Sequence, residues 1–156
     1  MSTGWGIRSR QFVKSEFAEV LPLAGKKLLS SLRKRDLLNA DKVDKSELMK
    51  LGERYQQAGR LSDCIDCWEK AQHLEGLIQL RERCAAEGDY FLYHRLAKIL
   101  EESPASEEWR QLGDTALGQG KLLFSLSAYQ QADIPEKVAE VEKLLKLPTK
   151  AGDLLH

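Results

Sequence analysis

The amino-acid sequence predicts an all-α protein in which helical hairpins stack into an α-solenoid. Two segments 61 residues apart share one pattern of large apolar, small and glycine positions, and a fixed internal period is typical of stacked repeats. No stretch alternates between apolar and polar residues for long enough to predict a β-strand. The matching positions are Leu48, Leu51, Gly52, Tyr55, Gly59, Leu61, Cys64, Trp68 and Ala71 in the first copy and Trp109, Leu112, Gly113, Ala116, Gly120, Leu122, Ser125, Tyr129 and Ala132 in the second.

Residues 1–45 are predicted to form a basic, amphipathic helical arm. Phe12 and Phe17 fall on one apolar face at helical spacing, and Pro22 ends or kinks this first helix. A second helical stretch runs from about residue 23 to 38. Residues 1–50 carry 11 Lys and Arg against 6 Asp and Glu, so the arm is more basic than the rest of the chain.

The repeat domain is predicted to span residues 46–147. Its hairpins cover about 46–75, 76–103 and 107–134, a capping helix follows at 135–147, and residues 148–156 form a tail. Ser46 is predicted to cap the first repeat helix, and Pro135 suits the first turn of the last one. Glycines at the turns inside the hairpins favour left-handed helix ends, and these are Gly59, Gly88 and Gly120.

Small residues are predicted where the two helices of each regular hairpin cross. Gly52 in the first copy and Gly113 in the second remove side-chain bulk at that point, with Ala71 and Ala132 beside them. Trp68 and Tyr129 would each bury about 150–250 Å² of surface. The middle copy, residues 77–100, is weaker because Arg81 stands where the other two copies have glycine.

These positions resemble the tetratricopeptide repeat, closely over residues 48–71 and 109–132 and loosely over 77–100. The third hairpin is also similar to the α-solenoids of coatomer-type trafficking proteins. The family pattern usually has alanine where this chain has Cys64, Tyr93 and Ser125. A large residue at Tyr93 is expected to push the middle helix pair apart.

The resemblance implies a non-enzymatic adaptor or scaffold that holds a peptide or helix of a partner in a concave groove. It implies that the first helix of each hairpin lines the groove, through Met49, Glu53, Gln56, Ile78, Glu82, Ala85, Arg110, Asp114 and Leu117. Stacking would place the acids Glu53, Glu82 and Asp114 in a row about 10 Å apart, which favours a basic or helical segment. Three acids on a solvated helix face that serve only solubility remain the alternative.

Three cysteines are too few for a disulfide framework, and we expect a reduced, cytoplasmic protein. Cys64 and Cys67 have CxxC spacing, which allows structural burial, redox chemistry or zinc binding completed by Cys84, His73 or His94. Burial is preferred because the pair lies within a predicted helix. The chain lacks phosphate-loop, nucleophile-elbow, zinc-protease and dinucleotide motifs, so neither catalysis nor a cofactor or metal is expected.

The N-terminal arm admits three roles. Its apolar face, which includes Trp5, Phe12 and Phe17, could cover the open end of the solenoid. With Arg8, Arg10 and Lys14 the same face could lie on an anionic membrane or on a partner helix. Basic residues further on could contact phosphates, although a net charge of zero argues against nucleic acid as the partner. A subunit that self-associates or docks end-on through its terminal helices is the second interpretation of the whole chain.

Overall fold

The computed structural model describes residues 31–146, and within them every regular element is an α-helix. The all-α prediction is therefore confirmed for this part of the chain. The predicted helix around Phe12 and Phe17, with Trp5 before it, and the tail at 148–156 lie outside the described residues. The helices are α1 (Ser31–Leu38), α2 (Lys45–Gln57), α3 (Leu61–Ala71), α4 (Leu74–Ala86), α5 (Tyr90–Ile99), α6 (Ser106–Gly118), α7 (Leu122–Ala132) and α8 (Pro135–Lys146).

The described residues divide into two compact units, with the boundary between Leu74 and Glu75. In the first unit α2 and α3 pack along their length and α1 lies against α3. In the second unit α6 packs on α7 in the same manner, α8 follows against α7, and α5 touches both α6 and α7. The hairpins α2/α3 and α6/α7 are the two copies in which the sequence pattern is strongest.

The first repeat helix begins at Lys45, two residues earlier than a cap at Ser46 would allow. Asp44 occupies the N-cap position with an extended backbone, and its side chain accepts a hydrogen bond of 2.9 Å from the Ser46 amide. The prediction of Ser46 as the cap was wrong, since Ser46 lies inside the first turn. Asp is as good a cap as Ser, and its negative charge also interacts favourably with the helix N-terminus.

Each regular hairpin is closed by an aromatic ring lying on a glycine. A Cβ atom added to Gly52 would lie 2.3 Å from Nε1 of Trp68, and one added to Gly113 would lie 2.6 Å from Cε1 of Tyr129. The rings are held in place because Trp68 Nε1 donates to the Met49 carbonyl at 3.1 Å and the Tyr129 hydroxyl donates to Asp114 at 2.5 Å. The predicted close crossing at the two glycines is confirmed.

The middle hairpin, α4/α5, is built differently. Its backbones scarcely approach each other within 8 Å, whereas those of α2/α3 and α6/α7 do so repeatedly. In the register of the repeat, Arg81 replaces the glycine and Ala97 replaces the aromatic ring, so the bulky side chain has moved from the second helix to the first. Tyr93 is buried as well. The expected separation of this helix pair agrees with the structure.

Left-handed residues end both helices of every hairpin. The turns inside the hairpins use the predicted glycines, with φ of +77°, +68° and +76° at Gly59, Gly88 and Gly120. Gly88 is required for two reasons: its φ is positive, and a Cβ there would lie 3.0 Å from the backbone of Ala116 on α6. The ends of α3, α5 and α7 instead use non-glycine residues with φ of 56–59°, namely Gln72, Glu101 and Asp133. These three left-handed residues were not predicted from the sequence.

Candidate partner-binding surfaces

In the first unit, the residues predicted for a groove lie on α2 with unequal exposure. Met49 and Gln56 are half-buried, and the Met49 carbonyl is occupied by the hydrogen bond from Trp68. Glu53 is exposed, one residue after the glycine on which the ring lies. Glu53 is therefore the predicted residue of this unit that offers a charge to solvent.

In the second unit, α4 presents Glu82 to solvent, with Ile78 also exposed and Ala85 half-buried. Asp114 on α6 is in a different situation because both of its carboxylate oxygens are engaged. One accepts from the Tyr129 hydroxyl and the other accepts from Arg110 Nη1, each at 2.5 Å. Its negative charge is therefore balanced within the unit, while the charge of Glu82 is open to a partner.

Leu117, another predicted groove residue, lies half-buried near the end of α6. Arg110 on the same helix forms a second ion pair, with Glu107. The guanidinium donates to Glu107 through Nε at 2.8 Å and through Nη2 at 2.5 Å. These hydrogen bonds, with a further one from Gln111, lower the pKa of the exposed Glu107 to about 2. The row of three acids stays a prediction, because Glu53 belongs to the first unit and the other two acids to the second.

The second unit contains a cavity of about 350 Å³ between α4, α5 and α6. Two of the predicted groove residues, Glu82 and Ala85, line its α4 side. The α6 side is formed by residues that sequence reasoning did not select. The lining consists of Arg81, Glu82, Ala85, Ala86, Tyr93, Glu108, Gln111, Leu112 and Thr115.

Arg81 is the most unusual group in this cavity. Its Nη1 donates to Glu102, and its guanidinium carbon lies 5.7 Å from the centroid of the Tyr93 ring. Its Nε is buried and has no hydrogen-bond acceptor among residues 31–146. A buried donor without an acceptor costs on the order of 1–3 kcal/mol, and more when the group is charged.

Tyr93 links the two sides of the cavity. Its hydroxyl donates to Glu108 at 3.0 Å, across from α5 to α6. Burial, together with this hydrogen bond to a carboxylate, raises the pKa of Tyr93 to about 12. The hydroxyl is thus protonated at neutral pH and serves as a fixed donor.

A signal for this cavity was present in the sequence. The middle copy departs from the repeat at Arg81, Tyr93 and Ala97, and the first two of these line the cavity. From the sequence, Arg81 and Tyr93 predicted only irregular packing of the middle hairpin. Glu108, Gln111 and Thr115 could not be selected, because a helical period assigns residues to helix faces but does not show which facing helices are separated by a gap.

The three cysteines are buried free thiols. Burial raises the pKa of Cys64 and of Cys84 to about 12 and that of Cys67 to about 11, which disfavours the thiolate needed for redox chemistry or metal binding. Over residues 31–146, no group of three or more His, Cys, Asp and Glu side chains is arranged to hold a metal ion. The packing role that the sequence favoured for the CxxC pair agrees with these observations.

Part of the basic arm is used inside the first unit. Lys34 on α1 bonds to Asp63 at 2.5 Å and to Asp66 on α3, with only 12% of its side chain exposed. Arg60 adds a bond of 2.7 Å to Asp63. Burial by itself would raise the pKa of Asp63, but the bonds from Lys34 and Arg60 outweigh it and the pKa is lowered. Lys34 therefore fastens α1 to α3 and is not free to contact phosphates.

No protein-family model matches this chain, and neither a curated protein nor a solved structure shows significant similarity to it. The resemblance to tetratricopeptide repeats consequently depends on the residues quoted above. Among residues 31–146, none of the helices is both long and apolar enough to cross a bilayer.

Proposed function

We propose that this chain is a non-enzymatic scaffold of tetratricopeptide-like hairpins that binds a segment of a partner protein. The observation that carries the proposal is the repeated ring-on-glycine contact, in which Trp68 lies on Gly52 and Tyr129 lies on Gly113 with the same sequence offset. Hairpins of this kind present helix faces along their length, and such surfaces suit extended or helical ligands better than small substrates.

The exposed acids of the first helices support a basic partner segment. Glu53 and Glu82 are both open to solvent, whereas Asp114 is balanced by Arg110 and by the Tyr129 hydroxyl. We therefore assign the recognition of positive charge to Glu53 and Glu82, and a structural role to Asp114. Charged side chains at the edge of an interface mainly set partner choice and association rate.

A displayed peptide library tests this function because it samples many candidate partner segments at once. The wild-type protein is expected to enrich peptides rich in Lys and Arg, and the double variant Glu53→Lys/Glu82→Lys should bind them at least about tenfold more weakly. Asp41→Lys/Glu136→Lys is the matched control, because it makes the same charge change at exposed acids, one in each unit. Failure to enrich any peptide, or equal losses in both double variants, would refute the proposal.

Self-association is a second candidate, favoured by an apolar patch on the second unit. Phe91 on α5 and Leu123 on α7 are 60% and 64% exposed, and Phe124 lies edge-on to Phe91 with ring centroids 5.2 Å apart. Exposed large apolar side chains that lie together often mark protein–protein contacts. Sedimentation over a range of concentrations tests this: a dimer that Phe91→Ser/Leu123→Ser abolishes would support it, and a monomer throughout would exclude it.

A reducing compartment, the cytoplasm, is the proposed location. The support is that all three cysteines are buried as free thiols. Membrane attachment through Trp5, Phe12 and Phe17 falls on residues outside the described range and stays a prediction, which flotation with liposomes can test.

A further inference from the structure

The last described helix, α8, holds the place of the first helix in a further hairpin. The connection from α7 to α8 has two residues, of which Asp133 is left-handed at φ 58°, and the connection from α3 to α4 is built in the same way. In α2, α4 and α6 the first position of the repeat pattern is the fourth residue of the helix, and in α8 that residue is Val138. The next positions of the pattern in α8 are Val141, Glu142 and Leu145.

The face of α8 that a second helix would cover lies open among residues 31–146. The eighth position of the pattern is fully buried in the three complete hairpins, at Tyr55, Cys84 and Ala116, whereas Leu145 is 40% exposed. Val138 is half-buried, although its equivalents in the other three first helices are buried. Within the described part of the chain, α8 is therefore a first helix without its second helix.

The neighbouring helix α7 contributes an open position to the same face. Phe91 on α5 and Phe124 on α7 show how consecutive second helices meet, with ring centroids 5.2 Å apart. Leu123 is the equivalent of Phe91 in the last complete hairpin and is 64% exposed. A helix packed on α8 in the same manner would bring its own equivalent of Phe124 onto Leu123. These open positions form the terminal face: Leu123, Val138, Glu142 and Leu145.

The complete hairpins show what kind of helix suits this face. The buried residues of their second helices recur at i, i+3 and i+4, and the residue at i+4 is opposite the fifth position of the first helix. A large residue there is opposite a small one, as Trp68 is to Gly52, or with the volumes exchanged as in Arg81 and Ala97. Glu142 holds the fifth position in α8 and is large. The face therefore suits an amphipathic helix whose i+4 residue is small.

The charges beside the terminal face favour a basic helix. A cavity of about 390 Å³ lies at the junction of α7 and α8, and its lining includes Val138, Glu142 and Asp133 but no basic residue. Lys137 is paired with Glu140 at 3.4 Å. A helix antiparallel to α8 would place its C-terminal half beside the carboxylates of Asp133 and Glu142. Lys or Arg in that half would be attracted to them and would also interact favourably with the helix dipole.

We propose that the terminal face binds a basic amphipathic helix of the partner protein, with apolar residues at i, i+3 and i+7 and a small residue at i+4. The inference deepens the proposed function, on which it rests for the source of the helix, and adds a second site to the acids Glu53 and Glu82. A second copy of the chain suits the face less well, because its α8 would place one Glu142 opposite another.

The test uses synthetic peptides of about 15 residues, which is long enough to form a helix. The first has Leu at i, i+3 and i+7, Ala at i+4 and Lys toward its C-terminal end. The second differs only by Trp at i+4, and the third has Glu in place of each Lys. Fluorescence anisotropy measures binding of each labelled peptide to the full chain. The first peptide should bind saturably, at least about tenfold more tightly than the other two.

Variants of α8 locate the binding. Leu145→Lys should weaken binding of the first peptide by about tenfold or more, because it replaces a buried apolar contact. Leu144→Lys is the matched control: Leu144 is also 40% exposed, but it lies at the seventh position, which is never fully buried in the complete hairpins. It should change binding by no more than about twofold. Glu142→Gly recreates the glycine of the regular hairpins and should shift the preference toward the Trp peptide.

Several outcomes would overturn the proposal. These are no binding of the first peptide, equal binding of the Ala and Trp peptides, or equal losses in Leu145→Lys and Leu144→Lys. A dimer that Leu145→Lys dissociates would assign the face to a second copy instead. Nuclear Overhauser contacts between Leu145 and residues 148–156 in the free protein would assign it to the chain's own C-terminal segment. Failure here leaves the scaffold proposal standing, because the peptide library decides that proposal through Glu53 and Glu82.

Discussion

Replacing Gly113 by alanine should destabilise the second unit, although alanine is the better helix former. The new Cβ would lie 2.6 Å from Cε1 and 2.7 Å from Cδ1 of Tyr129, distances that real Cβ contacts essentially never show. The ring must therefore move. Its hydroxyl is hydrogen-bonded to Asp114 at 2.5 Å, so the movement disturbs that bond as well.

Opposing effects set the magnitude. Alanine gains about 1 kcal/mol over glycine within a helix. Forcing extra bulk into a packed contact costs about 1–3 kcal/mol, and a hydrogen bond to a charged group is worth about 1.5–3 kcal/mol if it is fully lost. With the hydrogen bond partly kept, we expect Gly113→Ala to lower the free energy of unfolding by about 1–3 kcal/mol.

Gly118 provides the matched control, because it lies on the same helix and a Cβ there meets nothing within 4 Å. Gly118→Ala should therefore stabilise, by about 0.5–1 kcal/mol or less so near the helix end. Urea unfolding followed by far-UV circular dichroism measures both, and a change of 2 kcal/mol moves the midpoint by about 1 M. If both variants stabilise the protein equally, the ring does not lie on Gly113 and the reasoning fails.

The remaining predictions concern an ion pair, the thiols and one strained turn. Lys34→Met should cost about 1–3 kcal/mol at neutral pH, because it leaves Asp63 with Arg60 as its remaining cationic partner. Since the pKa of Asp63 is lowered on folding, this difference from wild type should begin to shrink as the pH falls below about 4 and should be lost as the pH falls through the lowered pKa. A difference independent of pH would contradict the pairing. A thiol reagent should label no cysteine rapidly in the native protein and all of them in guanidinium, whereas fast native labelling would refute their burial. Glu101→Gly should raise the unfolding free energy by about 0.5–1 kcal/mol, since it relieves a left-handed backbone at φ 56°, and a loss would show that Glu101 has another role.

The helix boundaries were predictable because local rules decide them. Glycine at position 59 ends a helix wherever the chain must turn with positive φ, and Pro135 begins α8 because its missing N–H is not needed there. The cap of α2 was misassigned because Asp44 and Ser46 both satisfy the same rule. Only the position of the backbone decided between them.

The cavity was less predictable because it depends on which side chain of a facing pair is large. Glycine opposite an aromatic ring, as in Gly113 and Tyr129, was recognisable from the repeat. The reversed pair, Arg81 opposite Ala97, follows the same register with the volumes exchanged. A periodic pattern shows that a position faces the neighbouring helix. It does not show that the backbones of α4 and α5 are separated when the large residue of the pair is a charged one, Arg81.

That exchange also affects how the protein responds to ionic strength. The hairpins α2/α3 and α6/α7 are closed by rings, whose contacts dissolved ions hardly alter. Arg81 in the hairpin α4/α5 is instead paired with Glu102, a carboxylate that is partly open to solvent. Because added electrolyte screens such a pair, concentrated salt should loosen α4/α5 before the other two hairpins, and amide hydrogen exchange would detect the loosening there first.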